Sequence, residues 1–134
     1  MPRPRQVLPH YDVAAAVTVR EDGRILVAQR RQGDMLGGLW EFPGGKREAG
    51  ETLEEALRRE LQEEMDITIA VGAPLTTVQH AYAHFRITLV AFWCRLVQGT
   101  PRCIECAAFR WVTADELDAL PMAVTDRQIA RVIL

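Results

Sequence analysis

Residues 52–67 read TLEEALRRELQEEMDI, and the way this stretch winds decides how the chain around it must be arranged. Strong helix formers run through it without glycine or proline, Thr52 stands as an N-cap, and acidic residues fill the first turn, so it predicts an α-helix. On a wheel of about 100° per residue with Leu53 at zero, Ala56, Leu57 and Leu61 form one apolar stripe. Glu60 and Glu64 fall inside that stripe, at about 340° and about 20°, while Glu63 lies at its edge near about 280°. Glu54, Glu55, Arg58 and Gln62 face the other way. Exposed Glu–Arg pairs one turn apart account for Glu54 and Arg58. They do not account for Glu60 and Glu64, like charges on the buried side that repel and lose hydration unless a cation joins them. Carboxylates without histidine suit a hard ion, Mg2+ or Mn2+.

Immediately upstream, RQGDMLGGLWEFPGGKREAGE holds six of the nine glycines and no helical period. It predicts a long, shaped loop, and such loops in compact domains carry function. Its PGGKREAGE end is expected to bring flexible backbone, Lys46 and Arg47 to the helix N-terminus, where amides and the helix dipole favour anions. Metal and phosphate would then meet at one place.

Working outward, DVAAAVTV and RILVAQR predict two adjacent strands joined by a turn at Asp22-Gly23. After the helix, ITIAV, TTVQHAY and FRITLVAFWCRLV predict strands, AFRWVT a further strand, and ADELDAL a short helix opened by Thr113 and Glu116. VTDRQIARVIL predicts a C-terminal helix. No repeat or linker divides the chain, so residues 1–134 are expected to be one domain, with the proline-rich residues 1–10 as a flexible leader. The order of elements suggests a mixed sheet covered by helices.

Composition narrows the function classes. With a net charge of -2 and 49% apolar residues, neither a general nucleic-acid binder nor a membrane span is indicated. Three cysteines without a hydrophobic leader suggest a reduced, cytoplasmic setting. Cys103-Ile-Glu-Cys106 has half the spacing of a zinc site, but no second pair exists, and ordinary thiols are expected.

Gly45, Glu51 and the run Arg59-Glu60-Leu61-x-Glu63-Glu64 together resemble the signature of the Nudix hydrolases, agreeing at seven positions. Asp66 stands where that family usually has glycine at the helix end; Asp tolerates the left-handed backbone such a cap needs. GGLWEFPGGK and the strand carrying Trp111 resemble the MutT-type branch, which cleaves nucleoside triphosphates, including 8-oxo-dGTP, to monophosphate and pyrophosphate. The resemblance implies an α/β fold, the Nudix α/β/α sandwich with a central mixed β-sheet. It implies divalent metal, Mg2+ or Mn2+, handled by the Gly44 carbonyl, Glu60, Glu63 and Glu64, with Glu105 as a further ligand or base. It also implies substrate contacts from Arg30, from Glu41, Phe42, Pro43 and Gly44, and from Asp126. A carboxylate at Asp126 would accept from an exocyclic amine or N1–H, leaving guanine, oxidised guanine and cytosine open; it would equally serve as a helix N-cap. Glu51 and Arg59 are expected to form a salt bridge fixing loop against helix. A nucleotide is the expected partner, with no stable nucleic-acid or membrane partner, in a monomer or homodimer.

Two other readings stay open. GGLWEFPG and the segment His80 to Phe85 also resemble the recognition domain of the adenine glycosylase MutY, which reads oxidised guanine without hydrolysis, although such domains generally lose the acidic set kept here. A Nudix hydrolase of another diphosphate is the third. Alternation places His80, Tyr82 and His84 on one sheet face.

Overall fold

The structure, a computed structural model, describes residues 7–134; of the leader expected at residues 1–10, residues 1–6 lie outside the described part. Strand β1 (His10–Thr18) is followed by β2 (Ile25–Gln29), two short strands β3 (Trp40–Glu41) and β4 (Gly44–Lys46), and helix α1 (Leu53–Met65). Then come β5 (Thr68–Ala81), β6 (Arg86–Gln98), β7 (Ala108–Val112), α2 (Ala114–Ala119) and α3 (Val124–Ile133). The mixed sheet has the order β4-β1-β6-β5, and a second sheet runs β3-β2-β7. β1 and β6 are parallel; the other pairs are antiparallel.

β1 explains the layering. Ala14 and Ala16 pack on one side with Leu57, Leu61 and Met65 of α1, whereas Ala15 and Val17 pack on the other with Leu117, Ile129 and Ala130 of α2 and α3. A strand buried on both faces reads as an unbroken apolar run, as AAAV does. Helices on both faces of the sheet make the α/β/α sandwich, with α1 pressed onto β1 beside β4.

Three details differ from the sequence expectations. The Asp22-Gly23 turn forms, with Arg20 N–H donating to the Arg24 carbonyl at 2.8 Å, but pairing ends at the single bridge Val19–Ile25. β1 and β2 enter different sheets because both edges of β1 are taken by β4 and β6, and both edges of β2 by β3 and β7. ITIAV and TTVQHAY belong to one edge strand, β5, with register shifts around Val71, Pro74 and Thr76; proline has no N–H for the ladder, and the strand bulges there instead of ending. Past Ala81 the backbone bends, with Tyr82 N–H donating to the Phe85 carbonyl at 2.8 Å. The alternation that would align His80, Tyr82 and His84 is therefore broken.

The cysteines require a correction as well. Cys103 and Cys106 are not free thiols but form a disulfide, their Cα atoms 4.9 Å apart, a separation within the ordinary disulfide span. Cys94 is a buried free thiol, which burial pushes up to about 12. Among the described residues no helix is long and apolar enough to cross a membrane.

Candidate active site

Helix α1 is set by its ends. Thr52 and Glu55 form a reciprocal capping box at the start. At the close, Asp66 adopts φ 56° and ψ 41°, and its N–H reaches the Gln62 and Leu61 carbonyls, so aspartate fills the left-handed position in place of glycine.

Arg59 joins helix to loop. Its Nε and Nη2 donate to the two Glu51 oxygens at 2.7 and 2.9 Å, its Nη2 to the Lys46 carbonyl at 3.1 Å, and its Nη1 to Glu60 at 3.0 Å and Glu63 at 3.2 Å. The Arg59 hydrogen bonds, followed by the Glu48 amide, hold Glu51 down to about 2. The Glu51–Arg59 pair has the geometry expected of it, and the link to Glu63 follows the one-turn spacing of the helix; the link to Glu60 had no separate sequence signal.

The cationic loop meets the expectation in part. Lys46 lies over the Tyr11 ring, 4.1 Å from its centre, and Arg47 pairs with Asp12 at 3.0 Å. Arg47 does reach the start of the helix, its Nη1 donating to the Glu51 carbonyl just ahead of the Thr52 N-cap at 3.2 Å, whereas Lys46 is drawn away to the aromatic ring on β1.

Glu60 and Glu64 do turn inward, as the wheel required. A Cβ built on Gly45 would lie 2.5–2.7 Å from the Glu60 carboxyl atoms, so glycine at this place lets the acid lie flat against β4. Burial pushes the Glu64 carboxyl up to about 9, and the Glu60 carboxylate, by its charge and then by hydrogen bonding, pushes the same way. Without a cation Glu64 therefore favours its protonated form; a cation placed beside it would oppose that preference. Glu63 instead turns toward Arg59 with 55% of its side chain exposed. Among the described residues no three acids, histidines or cysteines are gathered closely enough to ligate one ion. The half-buried all-oxygen pair beside the β4 backbone fits a hard divalent ion, whereas Glu63 and Glu105 are not drawn into a common ligand shell with it.

Two cavities meet at this place. One of about 310 Å³ is polar, lined by Glu64, Glu105, Glu41, Arg30, Arg31 and Asp34 together with Ala28, Met65 and Cys106. The other, about 440 Å³, is largely apolar, with Trp40, Phe42, Tyr82, Phe85, Ile87 and Leu89 in its wall and Gly44, Gly45 and Lys46 at its edge. Arg30 and Glu41 line both, and they are joined by a 2.8 Å ion pair. Arg30 also donates to the Met35 carbonyl at 2.7 Å. Burial raises Glu41 despite its partner. Arg31 in the polar wall had no signal in the sequence, whereas Tyr82 and Phe85 belong to the His80 to Phe85 segment whose resemblance to a base-reading domain was noted, and both line the apolar cavity.

Asp126 lies in the apolar cavity wall, only 7% exposed. It does not cap α3, since the N-cap is Ala123 and makes no side-chain bond. Its Oδ1 accepts from Phe42 N–H at 3.0 Å and its Oδ2 from the Thr125 hydroxyl at 3.4 Å. Burial, then the nearby Glu41 charge, pushes Asp126 up to about 7.

The NUDIX domain family profile matches residues 14–132. The chain belongs to the Nudix hydrolase family. An 8-oxo-dGTP diphosphatase of Proteus vulgaris is 45% identical over 80 residues, covering 60% of this chain and 71% of that protein. A CTP pyrophosphohydrolase of Escherichia coli is 37% identical over 115 residues, covering 86% of this chain and 84% of that one. The crystal structure of a MutT NUDIX hydrolase from Burkholderia pseudomallei superposes with a TM-score of 0.84 at 28% identity, covering 93% and 98% of the two chains. This Nudix hydrolase is thus a pyrophosphohydrolase with MutT-like relatives, and enzymes of its family generally use a divalent metal.

Proposed function

We propose that the chain hydrolyses a nucleoside triphosphate, an oxidised or otherwise non-standard one such as 8-oxo-dGTP, to the monophosphate and pyrophosphate. The observation that carries this reading is the junction of an apolar cavity holding Asp126 with a polar cavity holding Glu64 and Glu105. A base stacked among Trp40, Phe42 and Tyr82 would extend its phosphates past Arg30 and Gly44 toward the acidic face of α1.

Glu60 and Glu64, with the Gly44 carbonyl, would hold Mg2+ or Mn2+, and Glu63 would join them on turning away from Arg59. When bound, such an ion polarises phosphate oxygens and acidifies water. Arg59 restrains Glu60 and Glu63, Glu51 restrains Arg59, and Glu105 faces the same cavity as Glu64. One of these carboxylates, or Glu105, takes the proton from the attacking water. Arg30, fixed by Glu41 and the Met35 carbonyl, marks the passage between base and phosphates. Such an enzyme would work on the free nucleotide pool.

A second reading, cytosine triphosphate as substrate, is favoured by Asp126. Its carboxylate accepts from an exocyclic amine, and when neutral it also donates; one relative similar over most of the chain is named for CTP. Pyrophosphate release with Mg2+ across standard, 8-oxo and methylated nucleoside triphosphates separates these readings. Highest kcat/KM on 8-oxo-dGTP supports the first and highest on CTP-type substrates the second. Absence of turnover on all of them overturns both and favours non-catalytic base recognition or another diphosphate.

A further inference from the structure

Glu105 stands inside a covalent ring. The disulfide between Cys103 and Cys106 closes around Ile104 and Glu105, and both Glu105 and Cys106 line the polar cavity with Glu64. The turn is anchored on either side: Arg102 N–H donates to the Met65 carbonyl at 3.0 Å, Ile104 N–H to the Glu64 carbonyl at 3.1 Å, and Ala107 N–H to the Gln29 carbonyl at 2.9 Å. Arg31 Nη2 donates to the Ile104 carbonyl at 2.6 Å. Among the described residues no hydrogen bond or ion pair holds the Glu105 side chain itself; its backbone is set between Ile104, bonded to Glu64 and Arg31, and Cys106, which the disulfide ties back to Cys103. Cys103 is exposed and Cys106 half-buried, which leaves the bond within reach of a reductant.

We propose that Cys103 and Cys106 are positioning residues forming a redox-controlled clasp: the disulfide holds Glu105 toward the Glu64 face of the polar cavity, and its reduction releases Glu105 and slows hydrolysis. This rests on the reading of the cavity as a triphosphate hydrolase site. The step is thiol–disulfide exchange with a dithiol. One reductant sulfur attacks a cysteine sulfur, the Cys103–Cys106 bond breaks to a mixed disulfide, and the second reductant sulfur displaces the remaining thiol. The dithiol leaves as a disulfide, having given two electrons; its two protons end on the two cysteine thiols. Freed, the short turn regains main-chain conformations that cross-linking denied it.

The full chain is compared oxidised, reduced with dithiothreitol, and reoxidised, its state set by mass and by alkylation of accessible thiols. Reduction is expected to speed amide hydrogen exchange in residues 102–107 while α1 stays protected. It is also expected to lower kcat for triphosphate hydrolysis by about tenfold with KM little changed, since small misplacements of reacting groups have effects of that order. Reoxidation restores both. The Cys103→Ser/Cys106→Ser variant should stay at the reduced rate and ignore the dithiol. In Glu105→Gln, reduction should loosen the turn without altering kcat further. Amide exchange in 102–107 that is indifferent to reduction overturns the proposal, and so does a reductive loss of kcat that persists in Glu105→Gln. If the oxidised wild type turns over no triphosphate, the hydrolase reading fails and with it the rate effect, while the exchange measurement still decides whether the disulfide holds the turn.

Discussion

Glu64 and Asp126 are both inward acids pushed above the ordinary carboxylate range by burial, yet they sit in opposite chemistries. Glu64 has a second acid, Glu60, as its near neighbour and a polar cavity in front of it. Asp126 has a backbone N–H on one oxygen and an apolar cavity beside it. The first arrangement is relieved by a cation that both acids can share; the second is relieved by a proton or by a donor on a ligand. In the proposed function, one kind of side chain would thus mark two ends of a substrate, the charged end and the base.

Loss of the Glu64 charge should have the largest effect. Glu64→Gln should reduce pyrophosphate release by about a hundredfold or more, the scale expected when the group that organises a catalytic ion is lost, with circular dichroism unchanged. In the wild type, Mg2+ should raise the melting temperature, and that rise should be absent in the variant. Near-normal turnover in Glu64→Gln would remove the acidic pair from the mechanism.

Gly45→Ala tests the same end from the strand side. The new methyl would meet the Glu60 carboxyl at 2.5–2.7 Å, so the acid must move, and kcat should fall by about tenfold or more with little loss of fold. A variant with wild-type kcat would show that Glu60 need not lie against β4.

At the other end, Asp126→Asn should change which base is preferred more than it changes the rate on a poor substrate. A change of about tenfold or more in the ratio of kcat/KM between guanine-type and cytosine-type triphosphates is expected, because the amide donates where the carboxylate cannot. An unaltered ratio would place the base away from Asp126.

The smallest effect is on stability against pH. Asp126 rises from 3.8 to about 7 on folding, so between these values the folded chain binds more protons than the unfolded one. Its contribution is complete below the lower value, declines as pH rises through the window, and is gone above the upper one. Denaturant titrations from pH 4 to 8 should therefore show a steeper decline in the wild type than in Asp126→Asn, which keeps only the declines that the raised Glu64 and Glu41 contribute. Parallel curves for the two proteins would mean that Asp126 ionises normally in the fold.

Much of this site was legible before the fold was known. Thr52 and Glu55 announce the start of α1, helix formers carry it, and the wheel turns Glu60 and Glu64 inward, all from interactions within a few residues. Glu51 and Arg59 were likewise readable as a pair. Lys46 was not, because its position depends on Tyr11 and Phe85, which arrive from β1 and from the turn before β6. Asp126 has the composition of a helix cap, and only the approach of Phe42 from a distant loop makes it a buried acceptor. Cys103 and Cys106 give no indication of their bond until the turn brings their Cα atoms together.

By itself, then, the sequence determined the helix, its caps, the inward acids and the family to which they belong, because helical geometry and short spacings need no information beyond the segment. Tertiary structure decided which edge of β1 faces β4 and which faces β6, where the cations come to rest, and how two cavities meet at Arg30 and Glu41. Those outcomes depend on contacts between residues far apart in the chain, where several partners compete for each edge and each charge, and packing selects among them.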